Sequence, residues 1–220
     1  MMKAKTLGLI HTSATLIPVF QQLCKEYLPG VNTFNIVDDS LVKNIISRGS
    51  LTPSISKRVA DYVSSAADSG ADYILVTCSS IGAAVEAAAA QSNVPVLRVD
   101  QPMADKAVQA GKRIGVIATL ATTLEPTSDL VKRRAAKAGK EIELVSKLCE
   151  GAFDALMSGD AAKHDEIVTK ALRELSSQVD VILLAQASMA RVVDGLDEAD
   201  KKTPIVASPP VAVQYLASVM

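Results

Sequence analysis

Five short stretches combine residues able to move protons, attack carbon or hold an anion. They are His11-Thr12-Ser13, Asp38-Asp39-Ser40, Cys78-Ser79-Ser80, Thr119 to Thr123, and Gln186-Ala187-Ser188. Each follows a short apolar run. In "LVTCSSIGAAVEAAAA" Cys78 closes such a run and opens a small-residue helix. A helix start presents unpaired backbone N–H groups and partial positive charge, which favour a thiolate and bind anions. Ser79 and Ser80 add hydroxyl donors, and serine there also suits helix capping. His11 has a near-neutral reference pKa suited to proton transfer, although a histidine at a strand end also serves as a hydrogen-bonded structural residue. Lys and Arg are absent from all five stretches, so an anion would be held by hydroxyls and helix-terminal N–H groups.

The remaining polar candidates read as structural. Asp38 and Asp39 precede "SLVKNIISRG" and suit a helix cap; no partner carboxylates stand at metal spacing, so no metal site is expected. His164, in "AAKHDEIV", lies among charges and is expected to face solvent. Cys24 sits on the helical pattern "VFQQLCKEYL" as a small core residue, and Cys149 has no evident base nearby. Three widely spaced cysteines without CxxC or a zinc pattern fit a reduced, cytoplasmic protein.

Those residues must be carried by an α/β framework. Apolar runs at Thr6–His11, Thr33–Val37, Tyr73–Thr77, Val94–Val99, Arg113–Ala118, Ile142–Ser146, Val181–Ala185 and Pro204–Ala207 read as strands. Helices are expected at Leu16–Glu26, Pro53–Ser69, Ile81–Gln91, Leu124–Lys137 and Lys163–Gln178. Alternation of this kind implies parallel sheets flanked by helices. An internal repeat runs through the order: "LGLIHTSAT" resembles "IGVIATLAT", "ADYILVTCSSIGAAV" resembles "VDVILLAQASMARVV", and "VPVLRVDQP" matches "TPIVASPP". Two pseudo-symmetric α/β lobes are therefore expected, residues 1–98 with 208–220 and residues 99–207, their strand ends facing a shared cleft.

Composition narrows the partners. Of 220 residues 49% are hydrophobic, which sets disorder aside, and a net charge of −1 without a basic stripe argues against nucleic acid. Aromatics at 3% leave no stacking platform. The opening "MMKAKTLGLIHTSAT" has too short an apolar segment for a signal peptide, and no membrane span is expected. Alanine-rich helices would allow a homodimer.

With "LVTCSSIG", "IGVIATLATT" and "VILLAQASMA" in this order, the chain resembles the aspartate/glutamate racemase superfamily, which includes hydantoin racemases, maleate isomerases and arylmalonate decarboxylases. The resemblance implies a cofactor-independent isomerase of a small carboxylate or dicarboxylate, with its site between two lobes. It further implies one thiol on each wall, removing a proton from one face of a carbon and returning it on the other. Cys78 fits the first wall. The second wall has Ala185-Gln186 where many members have Gly-Cys, and Gln186 carries no titratable proton. Cys78 and His11 are thus the catalytic candidates; Thr12, Ser79, Ser80, Thr119, Thr122, Gln186 and Ser188 are the substrate-binding ones. Glu150 lies in a segment that can reach the site in relatives. A single-thiol decarboxylase of a malonate-type acid, or an inactive carboxylate-binding protein, are the alternatives.

Overall fold

The computed structural model describes residues 4–220, which form two compact units: the chain up to Val99 together with Pro209–Met220, and Asp100–Ser208. In the first unit β1 (Thr6–His11), α1 (Leu16–Tyr27), β2 (Asn32–Val37), α2 (Ser40–Arg48), α3 (Pro53–Asp68), β3 (Tyr73–Val76), α4 (Gly82–Ala89) and β4 (Val96–Arg98) follow in order. The second contains α5 (Gln101–Ala110), β5 (Arg113–Ala118), α6 (Ala121–Lys137), β6 (Glu143–Leu148), α7 (Ala152–Met157), α8 (Ala161–Ser176), β7 (Val181–Leu184), α9 (Ala190–Asp194) and β8 (Ile205–Ala207). The closing helix α10 (Ser208–Val219) buries Ala212, Val213 and Leu216 in the first unit's core.

Each unit is one four-stranded parallel sheet, ordered β2-β1-β3-β4 and β6-β5-β7-β8, so the two share a topology. Side chains alternate across a strand, and the first sheet shows the result. Leu7, Leu9 and Leu75 pack under α1 and α10, while Ile10, Ile74 and Val76 pack under α2, α3 and α4. The equivalent glycines of the repeat explain themselves here. A Cβ on Gly8 would stand 3.0 Å from the Phe34 ring, and one on Gly115 would stand 3.2 Å from Val179. Asp72 and Asp180 also occupy equivalent places, each accepting backbone N–H groups at the start of the neighbouring strand: Thr6 at 2.7 Å for one, Lys112 and Arg113 at 2.9 and 2.8 Å for the other.

Several expectations are corrected by packing. His164 is fully buried, not solvent-facing: it shares one face of α8 with Val168, Ala171, Leu172 and Leu175. Its Nδ1 bonds Asp165 at 2.7 Å, and Asp165 in turn holds Arg191 at 2.7 Å. Helix α6 begins three residues earlier than expected and carries Pro126 in its interior, at the cost of the bond to the carbonyl four residues back. Strand β4 is shorter than its apolar run because Ser92 Oγ ties up both the N–H and the carbonyl of Val94.

Asp38 does more than cap α2. Its carboxylate accepts from Ser40 N–H and Oγ, from Tyr62 Oη at 2.6 Å, and pairs with Arg58, tying the end of β2 to α3. Burial pushes its pKa up, but the Tyr62 and Ser40 hydrogen bonds and the Arg58 charge win and hold it low. A carboxyl depressed by folding stabilises above its unfolded pKa of about 3.9 and loses that contribution as pH falls. Thermal midpoints of the wild type should therefore drop toward acid more steeply than those of Asp38→Asn. Parallel curves would remove Asp38 from the acid response.

Candidate active site

In the first unit the register of β1 against β3, Leu7 with Tyr73 through Ile10 with Val76, aligns the carboxyl ends of both strands. The Thr77 N–H donates to the Ile10 carbonyl at 3.0 Å and extends the alignment by one residue. Thr12 and Cys78 consequently meet, and the Thr12 side chain hydrogen-bonds the sulfur. Beyond Cys78 the chain turns through a short 3-10 segment, Ser79–Ile81, into α4. The backbone N–H groups of Ser80 and Ile81 and the Ser80 side chain lie near enough to the thiol to favour its anion. Ser79 and Ser80 are buried, and Cys78 is half-buried.

The balance at this sulfur differs from the expectation that a helix start favours thiolate. Burial is the largest influence and pushes the Cys78 thiol up from its ordinary value, outweighing the lowering by Thr12, Ser80 and Ile81. Cys78 therefore rests as a neutral thiol at neutral pH, surrounded by donors suited to an anion. Cys24 and Cys149 are pushed up to about 11 by burial and lie among apolar side chains.

His11 lies in the same place and is fully enclosed. Its Nδ1 is 2.8 Å from Thr77 Oγ1 and its Nε2 is 2.9 Å from Asn35 Oδ1, so both ring nitrogens are occupied. The Thr77 hydroxyl that meets Nδ1 also donates to the Ile10 carbonyl at 3.2 Å, so the ring is held from both sides. Burial lowers the His11 pKa, against a smaller raising effect of Asn35. The neutral imidazole thus ties the ends of β1, β2 and β3 together. Thr77 and Asn35 are site-supporting residues that sequence patterning does not single out, since each sits in an ordinary strand context.

The second unit repeats this plan with other residues. The register of β5 against β7 sets Ile114 beside Val181 through Ile117 beside Leu184. Gln186 then falls where Cys78 falls, and the backbones agree: φ −134° and ψ 119° at Cys78, φ −134° and ψ 139° at Gln186. Thr119 takes the place of Thr12 and again bonds its partner across the strand ends. Its N–H donates to Gln186 Oε1 at 2.5 Å and its hydroxyl to the same oxygen at 2.9 Å. Ser188 stands half-buried in the 3-10 segment Ala187–Met189, at the position of Ser80. Thr122 is not part of the Thr119–Gln186 pair; its Oγ1 is buried and finds no hydrogen-bond partner among the described residues.

Arg98 is a further residue that strand patterning overlooks. It ends β4, is almost wholly buried, and pairs with Glu86 at 2.5 Å. Its guanidinium passes so close to Gly82 that a Cβ there would lie 2.2 Å from Nη2. The glycine that opens α4, directly after Ser79–Ile81, leaves room for this guanidinium, which would have to move for any side chain there. Among the described residues no group of three or more His, Cys, Asp or Glu side chains could hold a metal ion, and no helix is long and apolar enough to cross a membrane.

Two parallel sheets of one topology, with matching polar strand ends, define a duplicated α/β protein. The Asp/Glu/hydantoin racemase family profile matches residues 3–216, and the chain belongs to that family. No curated protein sequence matches it. Among solved structures it resembles the glutamate racemase of Aquifex pyrophilus at 20% identity and TM-score 0.72, covering 98% of this chain and 84% of that one. It also resembles the allantoin racemase of Klebsiella pneumoniae, at 15% identity and TM-score 0.73 over 98% and 87% of the two chains. The glutamate racemase of Francisella tularensis, solved with D-glutamate, gives 14% identity and TM-score 0.75 over 98% and 80%. At these identities the likeness is one of fold.

Proposed function

We propose that the protein is a cofactor-independent isomerase of a small carboxylate, with Cys78 as its acid, base or nucleophile. The observation that carries this reading is one half-buried thiol at a strand end, followed at once by the buried Ser79 and Ser80 and the start of α4. Chemistry beside a carboxylate builds negative charge on the carboxylate oxygens, and preorganised donors stabilise it. Thr12, Ser79 and Ser80 supply them. A thiol whose pKa is raised is, once deprotonated, a stronger base, which narrows the gap to a weakly acidic C–H. The same thiolate can instead add to a double bond conjugated with the carboxylate. The S–C bond forms, the former double bond rotates, and the S–C bond breaks with no net change in atoms.

Family membership supports the isomerase class; the residues refine the roles. His11 is the less suited second acid, because both its nitrogens are held by protein partners, and we assign it to positioning Thr77 beside the site. A second reading, decarboxylation of a malonate-type acid, is favoured by one specific observation: Gln186 occupies the symmetric position and cannot supply a proton. Loss of carbon dioxide generates the carbanion without a base, and one thiol suffices to protonate it.

The test is incubation of α-substituted, unsaturated and malonate-type carboxylates in deuterated water. Proton NMR reads loss of the C–H signal or a change of double-bond geometry, and released carbon dioxide is measured in parallel. Exchange or isomerisation supports the first reading, and carbon dioxide release with deuterium in the product supports the second. Binding without any of these across the panel would overturn both and leave a carboxylate-binding protein.

A further inference from the structure

The two strand ends carry equivalent hydrogen bonds with one difference in what they leave open. In the first unit the Thr12 side chain and the Ser80 and Ile81 N–H groups converge on a sulfur, and α4 continues the segment for eight residues. In the second unit the Thr119 N–H and hydroxyl converge on Gln186 Oε1, and α9 has only five residues, a weak dipole for an anion. One neutral oxygen accepting an N–H and an O–H at 2.5 and 2.9 Å is the arrangement by which a strand-end turn would hold one oxygen of a carboxylate.

We propose that Gln186 is a built-in occupant of the Thr119 turn, its carboxamide oxygen standing in for a ligand carboxylate oxygen, so that the protein holds one carboxylate per chain, at the Cys78 strand end. Gln186 is then a specificity-determining residue: it removes a second anion site as well as a second acid. The Gln186 oxygen is tethered, so a free carboxylate competes for the Thr119 donors only after the side chain has been displaced. This deepens the proposed function and rests on its assignment of the Cys78 strand end to carboxylate binding.

The test is an acetate titration of the wild type, Gln186→Ala and Gln186→Asn, followed by backbone amide chemical shifts. Asparagine keeps the carboxamide but is one methylene too short to reach the Thr119 N–H, so it serves if alanine fails to fold. In the wild type, the Ser79, Ser80 and Ile81 amides should shift saturably and Thr119 should not. In either variant Thr119 should join them, raising the stoichiometry from one acetate to two. A saturable Thr119 shift in the wild type, or none in both variants, would overturn the proposal. Its failure is distinct from failure of the proposed function: silence at Ser79–Ile81 with a Thr119 response confined to the variants sinks the single-site assignment at Cys78 while leaving Gln186 as occupant.

Discussion

Cys78→Ala should lose about 10³-fold or more of exchange, isomerisation or decarboxylation rate, the range expected when a positioned acid or base is removed. The thiol has no substitute nearby. His11 has both nitrogens committed to Thr77 and Asn35, and Cys24 and Cys149 are enclosed in apolar cores. The substitution removes one half-buried sulfur together with the Thr12, Ser80 and Ile81 donors' partner, so stability should fall by about 1–2 kcal/mol. A variant that keeps wild-type rate with an unchanged melting curve would remove Cys78 from the chemistry.

The largest expected effect on stability comes from a single methyl group. Gly82→Ala places a carbon 2.2 Å from Arg98 Nη2, 2.3 Å from Cζ and 2.7 Å from Nη1. The guanidinium is almost entirely buried and paired with Glu86, so moving it disturbs the packing around it. Forcing an extra carbon into such a packed place costs about 1–3 kcal/mol. The second unit supplies the internal control. Ala190 occupies the position of Gly82 there, and Ala207 stands in the register position of Arg98. Denaturant unfolding of Gly82→Ala, Arg98→Ala and the double variant should reveal strong coupling, with Gly82→Ala costing little once the arginine is gone. Additive losses would show that the clash is relieved in some other way.

The strands were largely legible because apolar runs closed by polar residues mark them, and β1 and β5 run between the residues expected. Where the bounds moved, pairing decided. Strand β6 extends to Leu148, past the expected Ser146, because Lys147 and Leu148 pair with Ile117 and Ala118, a long-range contact no local propensity encodes. The burial of His164 was legible in principle, since residues 164, 168, 171, 172 and 175 recur at helical spacing; flanking Lys163, Asp165 and Glu166 hid the stripe. At the site, Cys78 and its serines stand out as types in sequence. The Gln186 grip on Thr119 and the closure of His11 by Thr77 and Asn35 do not, because they depend on which strands are neighbours.

The central claim, a reactive thiol at a carboxylate-binding strand end, is tested most directly by comparing bromoacetate with bromoacetamide as alkylating agents. Both form the same S–C bond with loss of bromide, and peptide mass spectrometry reads each cysteine separately. Bromoacetate should modify Cys78 with saturation, faster than the amide, and acetate should protect it, while Cys24 and Cys149 react slowly with both reagents. Because burial raises the Cys78 pKa, the rate should keep climbing with pH through the ordinary thiol value of 9.0. Faster, unsaturable reaction with the neutral amide, or no protection by acetate, would contradict the account.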